Sequence, residues 1–181
     1  MSNVSNTERL ERAVVARLKT RELFAAVNVD VFPNEPDAYT FGALGEELLV
    51  GYERSTYPAP NAMSPQAQER VAELGVTVLA RALRGPKGYT ALLDEIRKAL
   101  FGWKPVEIIE DAVASLGYTP LILTKDELVG QEQGVWRFVV MFQTTTTVVA
   151  QAEALTGSTL TRATVKPAPG SPGSEFVVQP T

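Results

Sequence analysis

Hydrophobic positions recur along this chain with two periods, and the switches between them divide it into elements. Leu10, Val14 and Leu18 recur every four residues behind Ser5 and Glu8, which stand at capping-box spacing, so a helix is expected from about Thr7 to Phe24. Val27, Val29 and Val31 then alternate with Asn28 and Asp30, which predicts a strand over 27–32. Pro33 and Pro36 close it, and Leu48-Leu-Val-Gly-Tyr52 predicts a second, short strand. Residues 53–66 hold Pro58, Pro60 and Pro65 and are expected to form a long connection. From Val71 to Ala82 the alternation of Leu74, Val76, Val78 and Ala80 with Glu73, Thr77 and Arg81 predicts a third strand.

Gly85-Pro-Lys-Gly88 turns the chain into a second helix, Tyr89 to Phe101, with Leu92, Leu93, Ile96, Ala99 and Leu100 inward and Gly102 as the terminating glycine. Pro105 followed by Val106, Ile109, Val113 and Leu116, with Gly117 after them, reads as a third helix. Tyr118 to Thr124 reads as a strand, and a polar loop leads from it to Val135. Val135 to Thr147 is the longest strand pattern, apolar on both faces and therefore expected inside the sheet. The order predicts an α+β (mixed α/β) domain: an antiparallel or mixed sheet of four to five strands with two to three helices packed on it.

After Ala150 the composition changes. Residues 156–165 could form an extended edge strand, and Lys166-Pro-Ala-Pro-Gly-Ser-Pro-Gly-Ser174 has linker composition before a small apolar patch at Phe176-Val-Val178. The expected organisation is a domain over 1–150 and an extended Pro/Gly-rich arm over 151–181.

Composition narrows the chemistry. The 181 residues include no Cys and no His, so thiolate nucleophiles, imidazole bases and Cys/His zinc sites are excluded within the chain. The net charge of −4 does not fit a globally basic nucleic-acid binder. No apolar run approaches the roughly 20 residues of a membrane span, and the polar amino terminus carries no secretory pattern, so a cytosolic protein is expected. Glu46, Glu47 and Glu53, with Glu35 and Asp37, could in principle form a cation site, but they lack the spacing of a calcium loop. A solvated acidic surface explains them better. The Gly85–Gly88 loop lacks the Gly-Lys-Ser/Thr of a phosphate loop and reads as a plain turn. Trp103 and Trp136 read as packing residues.

Charge is unevenly spread. Residues 1–24 carry five basic and three acidic side chains, and residues 81–104 carry six and two. The rest of the chain holds six basic against sixteen acidic. Such segregation suits a basic helical face meeting an acidic face of another copy, although surface helices also collect Arg and Lys without purpose. Arg81, Arg84, Lys87, Arg97 and Lys98 are the candidate subunit or neck-interface residues.

The stretch Gly75-Val-Thr-Val-Leu-Ala-Arg-Ala-Leu-Arg-Gly-Pro-Lys-Gly-Tyr-Thr-Ala-Leu-Leu-Asp-Glu-Ile-Arg-Lys-Ala-Leu-Phe-Gly-Trp103 resembles the central part of the Mu-like phage minor tail proteins placed with the tail terminators. Glu8–Leu18, Glu47–Tyr52 and Gly134–Phe142 fit the same pattern. The resemblance implies a tail-terminator-like fold and a non-enzymatic virion protein without cofactors or metal. It would form a homo-oligomer, commonly a hexameric ring, at the tail-neck junction of a contractile-tailed phage after assembly in the host cytoplasm. Its partners would be the tail tube, the tail sheath and the neck or connector, with genomic DNA passing through the lumen without sequence-specific binding. Two rival readings remain: another neck, head-completion or tail-tube protein on a similar fold, and a metal-dependent carboxylate enzyme using Glu46, Glu47 and Glu53.

Overall fold

A computed structural model describes residues 4–33, 45–59, 67–85, 88–109 and 112–149. The first helix, α1, runs Asn6–Lys19 and starts where the sequence marks it, with Ser5 Oγ accepting from the Glu8 amide at 3.1 Å. It ends before the expected Phe24, and a 3-10 turn over Glu22–Phe24 completes the segment. Strand β1 is Asn28–Val31. Strand β2, Glu46–Thr56, runs into what reads as connection, and β3, Ala67–Ala80, begins four residues early. Helix α2 is Tyr89–Leu100, and Gly102 follows it at φ 74°, as a terminating glycine requires.

Two regions depart from the sequence expectations. The expected helix over 105–116 is a two-stranded antiparallel hairpin, β4 (Val106–Ile109) and β5 (Ala112–Ser115). Its β-branched residues favour a pleat, and a run this short does not separate the two periods. The polar stretch before Val135 is not a loop. It is most of β6, Ile122–Glu132, hydrogen-bonded along β7, Val135–Val149.

The main sheet has five strands in the order β1-β2-β3-β7-β6. β1 runs parallel to β2 and the other pairs are antiparallel, which makes it mixed as expected. β7 is an interior strand, in keeping with its two apolar faces.

One face of the sheet carries the core. Leu10, Val14 and Leu18 of α1 and Leu92, Ile96 and Leu100 of α2 are buried with Leu48 and Val50 of β2, Leu74, Val76 and Val78 of β3, and Phe138, Val140 and Phe142 of β7. All the strand members lie two apart, so they share a face. Removing this apolar area from water is the main stabilising term, about 1.5–3 kcal/mol for each fully buried large side chain. Tyr89 stacks on Phe138, and both Trp103 and Trp136 pack against the core as expected. Beyond the helix-covered part, Thr144 Oγ1 donates to the Thr119 carbonyl at 2.6 Å, which anchors the lead-in to β6 against β7.

Candidate functional site

The carboxylates that suggested a cation site are not gathered. Glu46 and Glu47 are neighbours on β2 and therefore point to opposite faces, with Glu47 only 2% exposed. Glu53 lies further along β2 over Gly75, where its Oε1 would stand 2.9 Å from an added Cβ. Glu35 and Asp37 lie outside the described residues. Among the described residues no three acidic side chains converge.

The turn before α2 has spent its backbone donors. Tyr89 N donates to the Ala82 carbonyl at 3.0 Å, Thr90 N to Leu83 at 3.4 Å and Ala91 N to Gly88 at 3.0 Å. Those are the amides an anion would need. Gly85 takes a φ of 101°, and Gly88 is so close to Arg84 that a Cβ would sit 2.4 Å from its carbonyl carbon. The glycines therefore serve the turn.

What remains is surface. Of the basic residues on α1 and just after it, Arg9 binds Glu107 of the β4–β5 hairpin, Arg12 binds Glu8 and Arg21 binds Glu95 of α2. Arg17 donates to the Ala99 carbonyl at 3.1 Å and lies over the Trp103 ring. The first basic segment is thus largely engaged within the chain, a use the charge count alone could not reveal.

The candidate interface residues divide into separate groups. Arg81 and Arg84 are exposed in the turn after β3. Arg97 and Lys98 lie in the last turn of α2, about 12 Å along the helix from its start. Arg97 binds Asp94 on its own helix and Asp126 on β6, whereas Lys98 is exposed. Lys87 lies outside the described residues.

Sequence reading missed several exposed apolar side chains near the β6 edge. Ile122, Leu128 and Val129 on β6 are 56%, 52% and 45% exposed, and Phe101 at the end of α2 is 63% exposed. Leu128 and Val129 were hidden because their part of β6 reads as a polar loop. On the sheet face away from the helices, a shallow cavity of about 590 Å³ is lined by Glu53, Arg54, Glu73, Lys125, Glu127 and Met141, among others. Arg54 pairs with Glu73 and Lys125 with Glu127, so its charges are largely matched.

These features define a mixed α+β protein with two helices packed on one face of its main sheet. The chain belongs to the Gp37 protein family, whose sequence profile matches residues 14–166. Among solved structures it is similar to a chain described as "Virion of native gene transfer agent (GTA) particle", with a TM-score of 0.54 and 19% identity. That alignment covers 80% of this chain and 98% of the other, and at this identity it establishes a shared fold. No curated protein matches the sequence.

Proposed function

We propose that this chain is a structural protein of a phage or phage-derived virion, and that it acts as a tail terminator. In this role it forms a ring, commonly of six copies, on the head-proximal end of the tail tube. The ring ends tube and sheath polymerisation and offers its outer face to the neck or connector. Genomic DNA passes through the lumen without being read. The protein is not an enzyme.

The observation that carries this reading is a fold shared with a virion chain over almost the whole of that chain's length. It is supported by membership of the Gp37 family and by the sequence resemblance to Mu-like tail proteins. The described surface fits the role physically: carboxylates lie dispersed, while charged and apolar side chains are presented on an edge and in turns. A ring subunit works through shape and surface charge, for which neither Cys nor His is needed.

Deleting the gene from a phage or prophage that carries it tests the proposal. Electron micrographs of lysates should show overlong or headless tails. Normal-length tails joined to filled heads would refute the role. A neck or head-completion function on the same fold would instead leave tail length normal and heads unjoined.

A further inference from the structure

Arg9, Arg12, Arg21, Arg54 and Arg97 each hold a carboxylate. Arg70, half-buried on β3, has neutral partners instead. Its Nε donates to Ser55 Oγ at 2.7 Å and its Nη2 to Thr7 Oγ1 at 2.8 Å, while the Tyr52 ring centre lies 5.5 Å from the guanidinium carbon. The fold explains the gathering. Arg70 shares a face with Ala72 and Leu74, the face on which α1 packs, and Thr7 is in the first turn of that helix. Ser55 pairs with Ala72, next to Arg70 on the same face. The register shift between Tyr52 and Arg54 lets Tyr52, paired with Leu74, reach that face as well in spite of its odd spacing from Ser55.

A guanidinium carries donors on all three nitrogens. Here Nε and Nη2 serve hydroxyls, and among the described residues nothing accepts from Nη1, which keeps contact with solvent. A charge that is partly desolvated and held only by neutral groups lacks compensation, and an anion would supply it. The two hydroxyls and the ring hold the side chain in place beforehand, which lowers the ordering cost of binding. Charge decides which anion fits. One guanidinium matches one monoanion. Glu11 stands one helical turn beyond Thr7, where its carboxylate accepts from Tyr52 N at 2.7 Å, and it would repel the second charge of a phosphate dianion.

We propose that Arg70, held by Ser55 and Thr7 and flanked by Tyr52, is a receptor site for a single carboxylate, bound through Nη1. The group is an Asp or Glu side chain of another protein or a free small carboxylic acid, and the chemistry of recognition is the same for both. The site stands on its own geometry and does not depend on the terminator reading.

The test is a titration of the full-length chain with sodium acetate at constant ionic strength, following the Nε–H signal of each arginine by 15N–1H NMR. Arg84 and Arg137 are exposed and serve as internal controls. The Arg70 signal should shift and saturate at an acetate concentration about tenfold below that which moves the controls. Ser55→Ala and Thr7→Val, which leave the guanidinium in place, should each weaken acetate binding about threefold. Inorganic phosphate should bind more weakly than acetate. The peptide acetyl-Gly-Glu-Gly-amide separates the sources: tighter binding than acetate supports a protein side chain, and weaker binding supports a free acid. An Arg70 signal that drifts in step with Arg84 and Arg137 overturns the site. Binding unchanged in both variants would remove the part given to the hydroxyls, and phosphate binding more tightly than acetate would overturn the choice of carboxylate.

Discussion

Arg97, in the last turn of α2, forms an ion pair with Asp126 on the edge strand β6 while also holding Asp94 on its own helix. A helix that packs mainly on the middle of the sheet is thereby tied to its margin. Both partners are about one-third exposed, so solvent screens much of the attraction. Asp126→Asn should cost about 0.5–1 kcal/mol, lowering the melting temperature by roughly 1–4 °C. Thermal unfolding at low and high salt checks this, since the difference between the two proteins should shrink as salt rises. A loss that salt does not change would mean that packing, and not charge, is what Asp126 supplies.

Gly88 and Gly75 should respond differently to the same substitution. A Cβ at Gly88 would stand 2.4 Å from the carbonyl carbon of Arg84 and 2.5 Å from its oxygen, and that backbone is fixed by the hydrogen bonds that start α2. At Gly75 the nearest atom is Oε1 of Glu53, the end of a flexible side chain. Gly88→Ala should therefore destabilise by about 1–3 kcal/mol, as overpacking does. Gly75 is buried, but the close atom there can swing away, so Gly75→Ala should cost less than Gly88→Ala, about 1 kcal/mol or below. Urea unfolding of both variants decides it, and equal losses would mean that the turn at Gly88 can relax.

The parts of the fold legible in sequence were those where one physical demand dominates. Leu92, Leu93, Ile96, Ala99 and Leu100 must all face the core, so α2 declares itself by period and ends at Gly102. Leu74, Val76 and Val78 do the same for β3. The hairpin at 106–115 was illegible because Val106, Ile109, Val113 and Leu116 satisfy helical spacing by chance, and only their β-branching argues otherwise. β6 was illegible for a different reason. Its residues face water along most of the strand, and what makes it a strand is the ladder offered by β7. The use of the basic side chains was illegible as well. Charge counts record how many arginines a segment holds, but not that Arg9, Arg12 and Arg21 are paired with Glu107, Glu8 and Glu95.

That distinction sharpens the assembly prediction. Among the basic residues put forward, Arg84 and Lys98 are exposed, whereas Arg97 is engaged with Asp94 and Asp126. The double reversal Arg84→Glu with Lys98→Glu should leave the melting temperature within about 2 °C of the parent, because surface changes of this kind are nearly neutral for folding. It should nevertheless weaken ring assembly at moderate salt, an effect read by light scattering. Unchanged assembly would remove both residues from the interface.

Tyr118 gives the fold a weakness in alkali. The side chain is almost fully buried beside the core, and its hydroxyl donates to the Asn6 carbonyl at 3.5 Å, a long contact. Burial raises its phenol above the ordinary value of 10.0; Arg70 opposes the shift, and Tyr52 and Tyr57 add to it. Tyr89 is displaced the same way, by burial first and Asp126 second, against Arg97. As pH rises past the unfolded value, the unfolded chain loses these protons first, so the folded state binds more protons and its stability falls. The contribution is intact below pH 10 and is lost between there and the raised folded value. Tyr118→Phe keeps the ring and removes the titration. At neutral pH it should cost no more than about 1 kcal/mol, given the weak hydrogen bond. Above pH 10 the parent should lose stability faster, so the two curves of melting temperature against pH should converge or cross. Parallel curves would show that Tyr118 ionises as easily in the folded chain as in the unfolded one.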